Sequence, residues 1–281
     1  MAGIRGAAAA GAPVDMTRLL GSFTNDIACR AVSGKFFREE GRNELFREAI
    51  DGNVAAFGGF SVLDYFPGVA KVGVLARLVF AKTNQLKRKW DELLDKIIDD
   101  HVSKASAQEQ HPEHDQQEDQ EETDFVDVLL DLQEEYNLTR EHIKAILMDM
   151  FVAGTDTSYI VLECAMAELM RKPNLMTKLQ AEGPGLWEAA DEFMPERFVD
   201  IMSLDSKGRD FQFLPFGAGR RMCPGINVGM ASVEIMLANL VYCYDWELPD
   251  GMRQADLDMT DVFGMTMRRK EKLFLIPRMR C

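Results

Sequence analysis

Apolar residues recur at helical spacing through most of the first two thirds of the chain. The clearest stripe lies in residues 71–104, where the apolar positions on one face are Leu86, Trp90, Leu93, Leu94, Ile97 and Ile98. Weaker patterns of the same kind predict helices over 15–35, 43–50 and 124–136. Glycines interrupt the pattern between Gly52 and Gly68, which predicts a loop or short turns there.

The longest predicted helix covers residues 139–172. Thr139 suits the N-cap position, and Glu141 falls in the first turn, where an acidic side chain is favourable. The centre of this helix, Ala153-Gly-Thr-Asp-Thr-Ser158, is instead rich in side chains that compete for backbone hydrogen bonds. A long apolar helix that is weakened and locally opened at its midpoint indicates a place where a ligand binds.

The last third of the chain has a different pattern of apolar and polar residues. Gly183-Pro-Gly185 breaks the pattern, and an apolar run over 226–241 predicts another helix. Short apolar runs on both sides of Gly264 and over Leu273–Ile276 predict small strands. We therefore expect a mainly α fold, with a long central helix and a few short strands near the carboxyl end.

Residues 108–122 form a polar, low-complexity stretch. The sequence from Gln108 to Asp124, with Asp124 included, contains eight acidic residues and no Lys or Arg. Such a segment is too hydrophilic to pack, so we predict a disordered acidic loop. His111 and His114 lie within it and are interpreted as solvated side chains rather than metal ligands.

Charge and cysteine usage exclude several classes of protein. The net charge of −14 disfavours nucleic acid and anionic membrane surfaces as partners. Five scattered cysteines without a Cys-x-x-Cys pair form neither a disulfide framework nor a zinc module, and they suit a reducing compartment. The sequence has no continuous apolar run of roughly eighteen residues, the length typical of a membrane span.

The loop over 213–225 contains the main candidate functional group of the chain, the sulfur of one cysteine. Cys223 lies among glycines and arginines directly before the predicted helix, so a thiolate there is stabilised by the positive helix end, Arg220 and Arg221. The alternative is a buried apolar cysteine in an ordinary loop. A nucleotide-binding role for Gly217-Ala-Gly219 is disfavoured, because no strand–loop–helix unit with a phosphate-binding Lys surrounds it.

This loop resembles the haem-binding loop of the cytochrome P-450 family, Phe-x-x-Gly-x-Arg-x-Cys-x-Gly. The fixed positions are filled by Phe216, Gly219, Arg221, Cys223 and Gly225. The resemblance implies a P-450 fold, haem b as cofactor and Cys223 as the axial ligand of the haem iron. By the same resemblance, Phe216 packs on the sulfur side of the haem and Arg221 pairs with a haem propionate.

Two further motifs resemble the same family. The polar centre of the long helix is similar to the oxygen-activation groove, which implies that Thr157 is the oxygen-side hydroxyl and Asp156 the proton-relay acid. Ala153 and Gly154 would make room over the haem. Phe193-Met-Pro-Glu-Arg-Phe198 is similar to the family's Pro-Glu-Arg-Phe signature, in which Arg197 would join a Glu and an Arg from an earlier helix.

The sequence departs from the family in two places. No Glu-x-x-Arg helix lies between the central helix and Phe193, so an internal deletion is expected between Gln180 and Trp187, and Arg197 would lose its charged partners. By the resemblance, we also expect this sequence to start after the amino-terminal anchor and first helices of family members. We expect one truncated domain over 1–281, with a helical part over 15–182 and a haem-ligand part over 183–281.

The resemblance, which is strongest to grass members of the plant microsomal type, implies a haem-thiolate monooxygenase. Such an enzyme takes electrons from NADPH-cytochrome P-450 reductase and oxidises a small hydrophobic molecule. A second reading is a catalytically silent, truncated relative that binds haem weakly or not at all. Family membership implies the cytosolic face of the endoplasmic reticulum, and a cytosolic location is the alternative because no anchor is recognised.

Overall fold

The computed structural model describes residues 2–34, 42–57, 65, 68, 73–110, 123–174, 176–177, 215–249 and 251–280. The helices are α1 (Ala2–Ala10), α2 (Met16–Ser33), α3 (Arg42–Phe57), α4 (Gly73–Gln110), α5 (Phe125–Asp131), α6 (Arg140–Arg171) and α7 (Ile226–Cys243). The strands are β1 (Val14–Asp15), β2 (Tyr244–Glu247), β3 (Asp261–Val262), β4 (Arg268–Arg269) and β5 (Phe274–Met279). The mainly α fold with a long central helix and short carboxyl-terminal strands is confirmed.

The described chain divides into two compact units, both discontinuous in sequence. The first unit contains Met1–Thr17, Val161–Met259 and Lys272–Cys281, and the second contains Arg18–Ile160 and Thr260–Glu271.

The second unit is built on a helical core formed by α2 to α6. Phe46 of α3 lies 6.0 Å from Trp90 of α4 and 4.8 Å from Phe151 of α6, measured between ring centroids. All three side chains are buried, and the surrounding apolar positions are those of the predicted helical stripes. Burial of these apolar faces therefore holds the helices together.

The first unit contains an antiparallel sheet in the order β1-β5-β2. Val14 pairs with Leu275, and Trp246 pairs with Pro277. The Trp246 indole N–H donates to the carbonyl oxygen of Leu240 at 2.9 Å, which joins β2 to the end of α7. The sheet therefore brings the two ends of the chain together, and neither β1 nor β2 was predicted from the sequence.

Two helix boundaries differ from the predictions. Helix α3 continues to Phe57, past the predicted loop start at Gly52. A Cβ at Gly52 would lie 2.9 Å from a methyl carbon of Leu86, so this glycine permits a close approach of α3 and α4 rather than a turn. Helix α4 continues to Gln110, the third residue of the predicted acidic loop, and residues 111–122 lie outside the described ones.

Candidate functional site

The loop before α7 is closed by two backbone hydrogen bonds. The Cys223 N–H donates to the Phe216 carbonyl at 2.8 Å, and the Met222 N–H donates to the Gly219 carbonyl at 3.2 Å. Gly217 and Gly219 adopt φ values of 72° and 68°, in the left-handed region that favours glycine. The glycines are thus required by the turn that carries Cys223 to the start of α7.

Cys223 lies beside the amino-terminal end of α7. Gly225 precedes the helix, and its carbonyl accepts from the Gly229 N–H at 2.8 Å. A Cβ on Gly225 would lie 3.8 Å from the Cys223 Sγ, so the sulfur lies directly against this residue. Cys223 therefore lies near the positive end of the helix dipole of α7.

The residues of this loop fit a flat, iron-containing ligand. Cys223 is only half-buried and forms no disulfide, so it is not sealed within the core. Nothing lies within 4 Å of a Cβ placed on Gly219, and the Arg221 side chain is exposed. A soft sulfur donor, an open glycine face and a cation for an acidic group together match haem b. The loop thus brings the five predicted positions from Phe216 to Gly225 together.

The polar motif at the centre of α6 does not interrupt the helix. Arg140–Arg171 is a single α-helix, and Thr139 accepts a hydrogen bond from the His142 N–H at 3.2 Å, as an N-cap does. The Thr157 hydroxyl donates to the Ala153 carbonyl oxygen at 2.8 Å. This bond to the preceding turn explains how the helix accommodates an exposed Thr, and the predicted local opening of the turn is not observed.

The remaining motif residues separate into exposed and buried positions. Ala153, Gly154 and Thr157 are exposed. A Cβ on Gly154 would lie 3.5 Å from the Ala28 Cβ, an ordinary van der Waals contact, so this position faces α2 and has room for a small side chain. Asp156, by contrast, is 2% exposed. Neighbouring positions on a helix point about 100° apart, which accounts for this separation of Asp156 from Thr157.

The hydrogen-bond partner of Asp156 is a residue that the sequence did not single out. The Thr266 hydroxyl, in the turn between β3 and β4, donates to Asp156 Oδ2. Burial raises the pKa of Asp51, the nearby charge of Asp156 adds to this rise, and Arg47 and Arg268 oppose it. Asp156 therefore lies in a charged environment assembled from α3, α6 and the β3–β4 hairpin. No local sequence signal identifies Thr266, because it is 110 positions away.

The two groups of predicted residues belong to different units. The Cys223 loop lies in the first unit, and Ala153, Gly154, Asp156 and Thr157 lie in the second. Arg197 lies outside the described residues, as do His111 and His114.

A group of possible metal ligands does occur elsewhere in the described chain, at His101, Asp124 and Asp127. Both ring nitrogens of His101 already have hydrogen-bond partners, namely the Ile97 carbonyl and Asp124. Asp124 also caps α5 through its other carboxylate oxygen. The hydrogen bonds account for this cluster without an ion.

Comparison with known proteins decides the family. The family model described as Cytochrome P450 matches residues 3–183 and 183–276. The chain belongs to the cytochrome P450 family. Haem b is the cofactor of this family of haem-thiolate proteins, and the mainly α cytochrome P450 fold agrees with the structure.

Individual relatives agree with this assignment. An indole-2-monooxygenase from Zea mays is 43% identical over 349 residues, covering 98% of this chain and 63% of that protein. A 3-hydroxyindolin-2-one monooxygenase from Zea mays is 36% identical, covering 99% of this chain and 65% of that protein. A zebra fish cytochrome P450 solved with progesterone has a TM-score of 0.65 at 17% identity, covering 95% of this chain and 72% of that one.

This cytochrome P450 chain is shorter than the relatives that it matches, spanning under two thirds of their length. Part of the difference is internal. The two parts of the family match meet at residue 183, and the first alignment spans 349 residues against 281 in this chain. Both observations support the internal deletion predicted between Gln180 and Trp187.

Two helices of this cytochrome P450 pass a simple test for membrane spans. By length and composition alone, α6 and α7 are apolar enough to cross a bilayer. Core helices of soluble proteins pass the same test, so this observation assigns no span.

Proposed function

We propose that this chain binds haem b through the Cys223 thiolate and acts as a monooxygenase on a small hydrophobic molecule. The observation that carries the proposal is the loop itself. Its hydrogen bond from Cys223 N–H to the Phe216 carbonyl holds a half-buried sulfur at the start of α7, and every fixed position of the family motif is filled.

The residues of the loop have distinct roles. Cys223 would provide the sulfur ligand of the haem iron, and a thiolate ligand would supply electron density that suits oxygen activation. Arg221 holds a propionate through a charge-assisted pair, and Phe216 covers the sulfur side. Gly219 and Gly225 leave space for the macrocycle to approach the backbone.

The central helix supplies the residues that handle protons. Asp156 is the acid, and the Thr157 hydroxyl is the exposed polar group beside it in sequence. Ala153 and Gly154 keep the exposed side of α6 small enough for a ligand to lie against it.

Family membership supports the remaining parts of the proposal. Electrons come from NADPH-cytochrome P-450 reductase at the cytosolic face of the endoplasmic reticulum. The names of the Zea mays relatives refer to indole and indolinone substrates. A small bicyclic aromatic molecule of this kind is therefore the substrate class that we propose.

A specific observation favours a second candidate function. The family match is broken at residue 183, and Arg197 follows shortly after this break in the sequence. The lost segment would remove partners of Arg197 and part of the haem surroundings. The second candidate is therefore a catalytically silent relative that binds haem weakly or not at all.

One experiment separates the two candidates. The purified chain is titrated with hemin, reduced and exposed to carbon monoxide, and the Soret band of thiolate-ligated haem is recorded. We expect the red-shifted band in the wild type and in Cys243→Ser, a control at another half-buried cysteine. We expect its loss in Cys223→Ser. Identical titrations of wild type and Cys223→Ser would exclude the proposed ligand and favour the silent relative.

A further inference from the structure

The Thr266–Asp156 hydrogen bond links the proposed acid of the central helix to a distant hairpin. Asp156 is 2% exposed, and Thr266 is partly buried in the turn between β3 and β4. The Thr266 Oγ1 donates to Asp156 Oδ2. A hydrogen bond to a charged acceptor is stronger and more directional than one between neutral groups, so it constrains the orientation of the carboxylate.

The hairpin holds Thr266 in place from both sides. Asp261 pairs with Arg269 and Val262 with Arg268, and the Lys270 N–H donates to the Thr260 carbonyl at 2.8 Å. The turn between the two strands is tight, because a Cβ on Gly264 would lie 3.2 Å from the Thr266 carbonyl oxygen. The hairpin backbone thus fixes the position of the Thr266 Cα, and only rotation about χ1 remains to place its hydroxyl.

The adjacent hydroxyl of the motif is engaged differently. Thr157 donates to the Ala153 carbonyl, whereas Asp156 accepts from Thr266. The acid therefore has a hydroxyl partner, but this partner comes from the hairpin and not from its sequence neighbour.

Several charged side chains lie in the environment of Asp156, so an uncharged hydrogen-bond donor can orient its carboxylate without changing the local charge. The nearby charge of Asp156 raises the pKa of Asp51, whereas Arg47 and Arg268 lower it. A hydroxyl donor fixes the direction of the Asp156 carboxylate without adding another charge to this group.

We propose that Thr266 is a positioning residue for Asp156, whose carboxylate it orients for the proton-handling role in the proposed monooxygenase. The inference rests on the proposed function for its role in the reaction. The contact itself is testable on the chain without haem.

The first test is hydrogen–deuterium exchange of the haem-free chain, comparing wild type, Thr266→Val and Thr266→Ser. Valine has nearly the shape of threonine but no hydroxyl, and serine keeps the donor. We expect amide protection over 260–271 to fall on the order of tenfold in Thr266→Val and to stay near wild type in Thr266→Ser. Equal protection in wild type and Thr266→Val would overturn the proposed contact.

The second test uses the haem-loaded chain with reductase, NADPH and indole, and measures the share of consumed oxygen that is released as hydrogen peroxide. A misoriented acid delivers protons poorly. Thr266→Val and Asp156→Asn should therefore raise this share by similar factors, their combination should add nothing, and Thr266→Ser should behave as wild type. Additive effects, or no rescue by serine, would overturn the positioning role.

Failure of the proposed function gives a different result. If wild type takes up no haem, the reaction role of Thr266 fails together with the proposed function, while the exchange experiment still decides whether the hairpin is bonded to Asp156. If wild type loads haem and Thr266→Val alters neither exchange nor peroxide release, the inference about Thr266 fails alone.

Discussion

The imidazole of His101 bridges α4 to the amino-terminal end of α5 through Asp124. Its Nε2 lies 2.9 Å from Asp124 Oδ2, and its Nδ1 lies 2.7 Å from the Ile97 carbonyl oxygen. A carbonyl and a carboxylate both accept hydrogen bonds, so the protonated imidazole, which has two N–H donors, satisfies both partners. These partners therefore favour the charged form of the buried His101 side chain and raise its pKa.

The first prediction concerns the pH dependence of this pair. Burial opposes the charged imidazole, but the bond to Asp124, the bond to the Ile97 carbonyl and the neighbouring acidic charges outweigh it and raise the pKa of His101. Because the pKa of His101 is higher in the folded chain than in the unfolded chain, protonation of His101 stabilises the fold. This stabilisation is fully present below the unfolded pKa of about 6.5, and it is lost as the pH rises through the higher pKa of the folded state.

The variant His101→Gln keeps a side-chain donor but not the charge. We expect it to lower the free energy of unfolding by roughly 1–3 kcal/mol at pH 6 and by progressively less towards pH 9. Urea denaturation at several pH values measures this difference. A difference that grows with rising pH would contradict the imidazolium assignment.

A second prediction concerns the glycine next to Asp124. Gly34 has a φ of 48°, and a Cβ on it would lie 2.7 Å from Asp124 Oδ2. Gly34→Ala should therefore destabilise the chain by roughly 1–3 kcal/mol, through backbone strain and displacement of the carboxylate. Gly6→Ala is the control, because Gly6 lies within α1 with nothing within 4 Å of its Cβ position. It should stabilise by about 0.5–1 kcal/mol, and similar losses in both variants would argue against a special role for Gly34.

A third prediction tests the aromatic core of the second unit. Phe151 is completely buried and packs beside both Phe46 and Trp90. Phe151→Ala should lower the free energy of unfolding by about 3–5 kcal/mol, because it removes apolar contacts and leaves a cavity. Phe263 is 83% exposed, so Phe263→Ala should change stability by no more than about 0.5 kcal/mol. Thermal or urea unfolding would show the contrast, and comparable losses would mean that the core lies elsewhere.

A fourth prediction distinguishes the two arginines of the Cys223 loop. Both side chains are exposed, but the family motif assigns the propionate contact to Arg221. Arg221→Gln should weaken haem binding by about tenfold, the expected loss for one charge-assisted hydrogen bond. Arg220→Gln should leave affinity nearly unchanged. Hemin titration followed by absorbance gives both dissociation constants, and equal effects would mean that the arginines act through general charge.

The spacing of apolar residues along the chain was sufficient to predict much of the helical structure. The central helix was predicted at 139–172 and occurs at Arg140–Arg171, because its apolar spacing and its N-cap are properties of neighbouring residues. Gly52 was misread as a break, because the residue that explains it, Leu86, lies on another helix. A glycine in a sequence signals either a turn or a close approach, and only packing distinguishes the two.

The candidate site also has one part that the sequence was enough to predict and another part that depends on packing. The loop from Phe216 to Gly225 is short and is closed by backbone hydrogen bonds between residues close in sequence, so the motif alone was enough to predict a sulfur ligand there. The partner of Asp156 could not be predicted, because Thr266 comes from a hairpin far along the chain. Hydrogen bonds between distant segments depend on how those segments pack, which neither spacing nor composition encodes.

The order of residues along the chain was therefore enough to predict most of the helices and the Cys223 loop of this cytochrome P450, since each arises from residues near one another in sequence. Folding in three dimensions decided that Asp156 is buried against Thr266 and that His101 is hydrogen-bonded to Asp124, which raises the pKa of His101. Both results depend on burial and on long-range partners, and these exist only after the helices and the hairpin have packed.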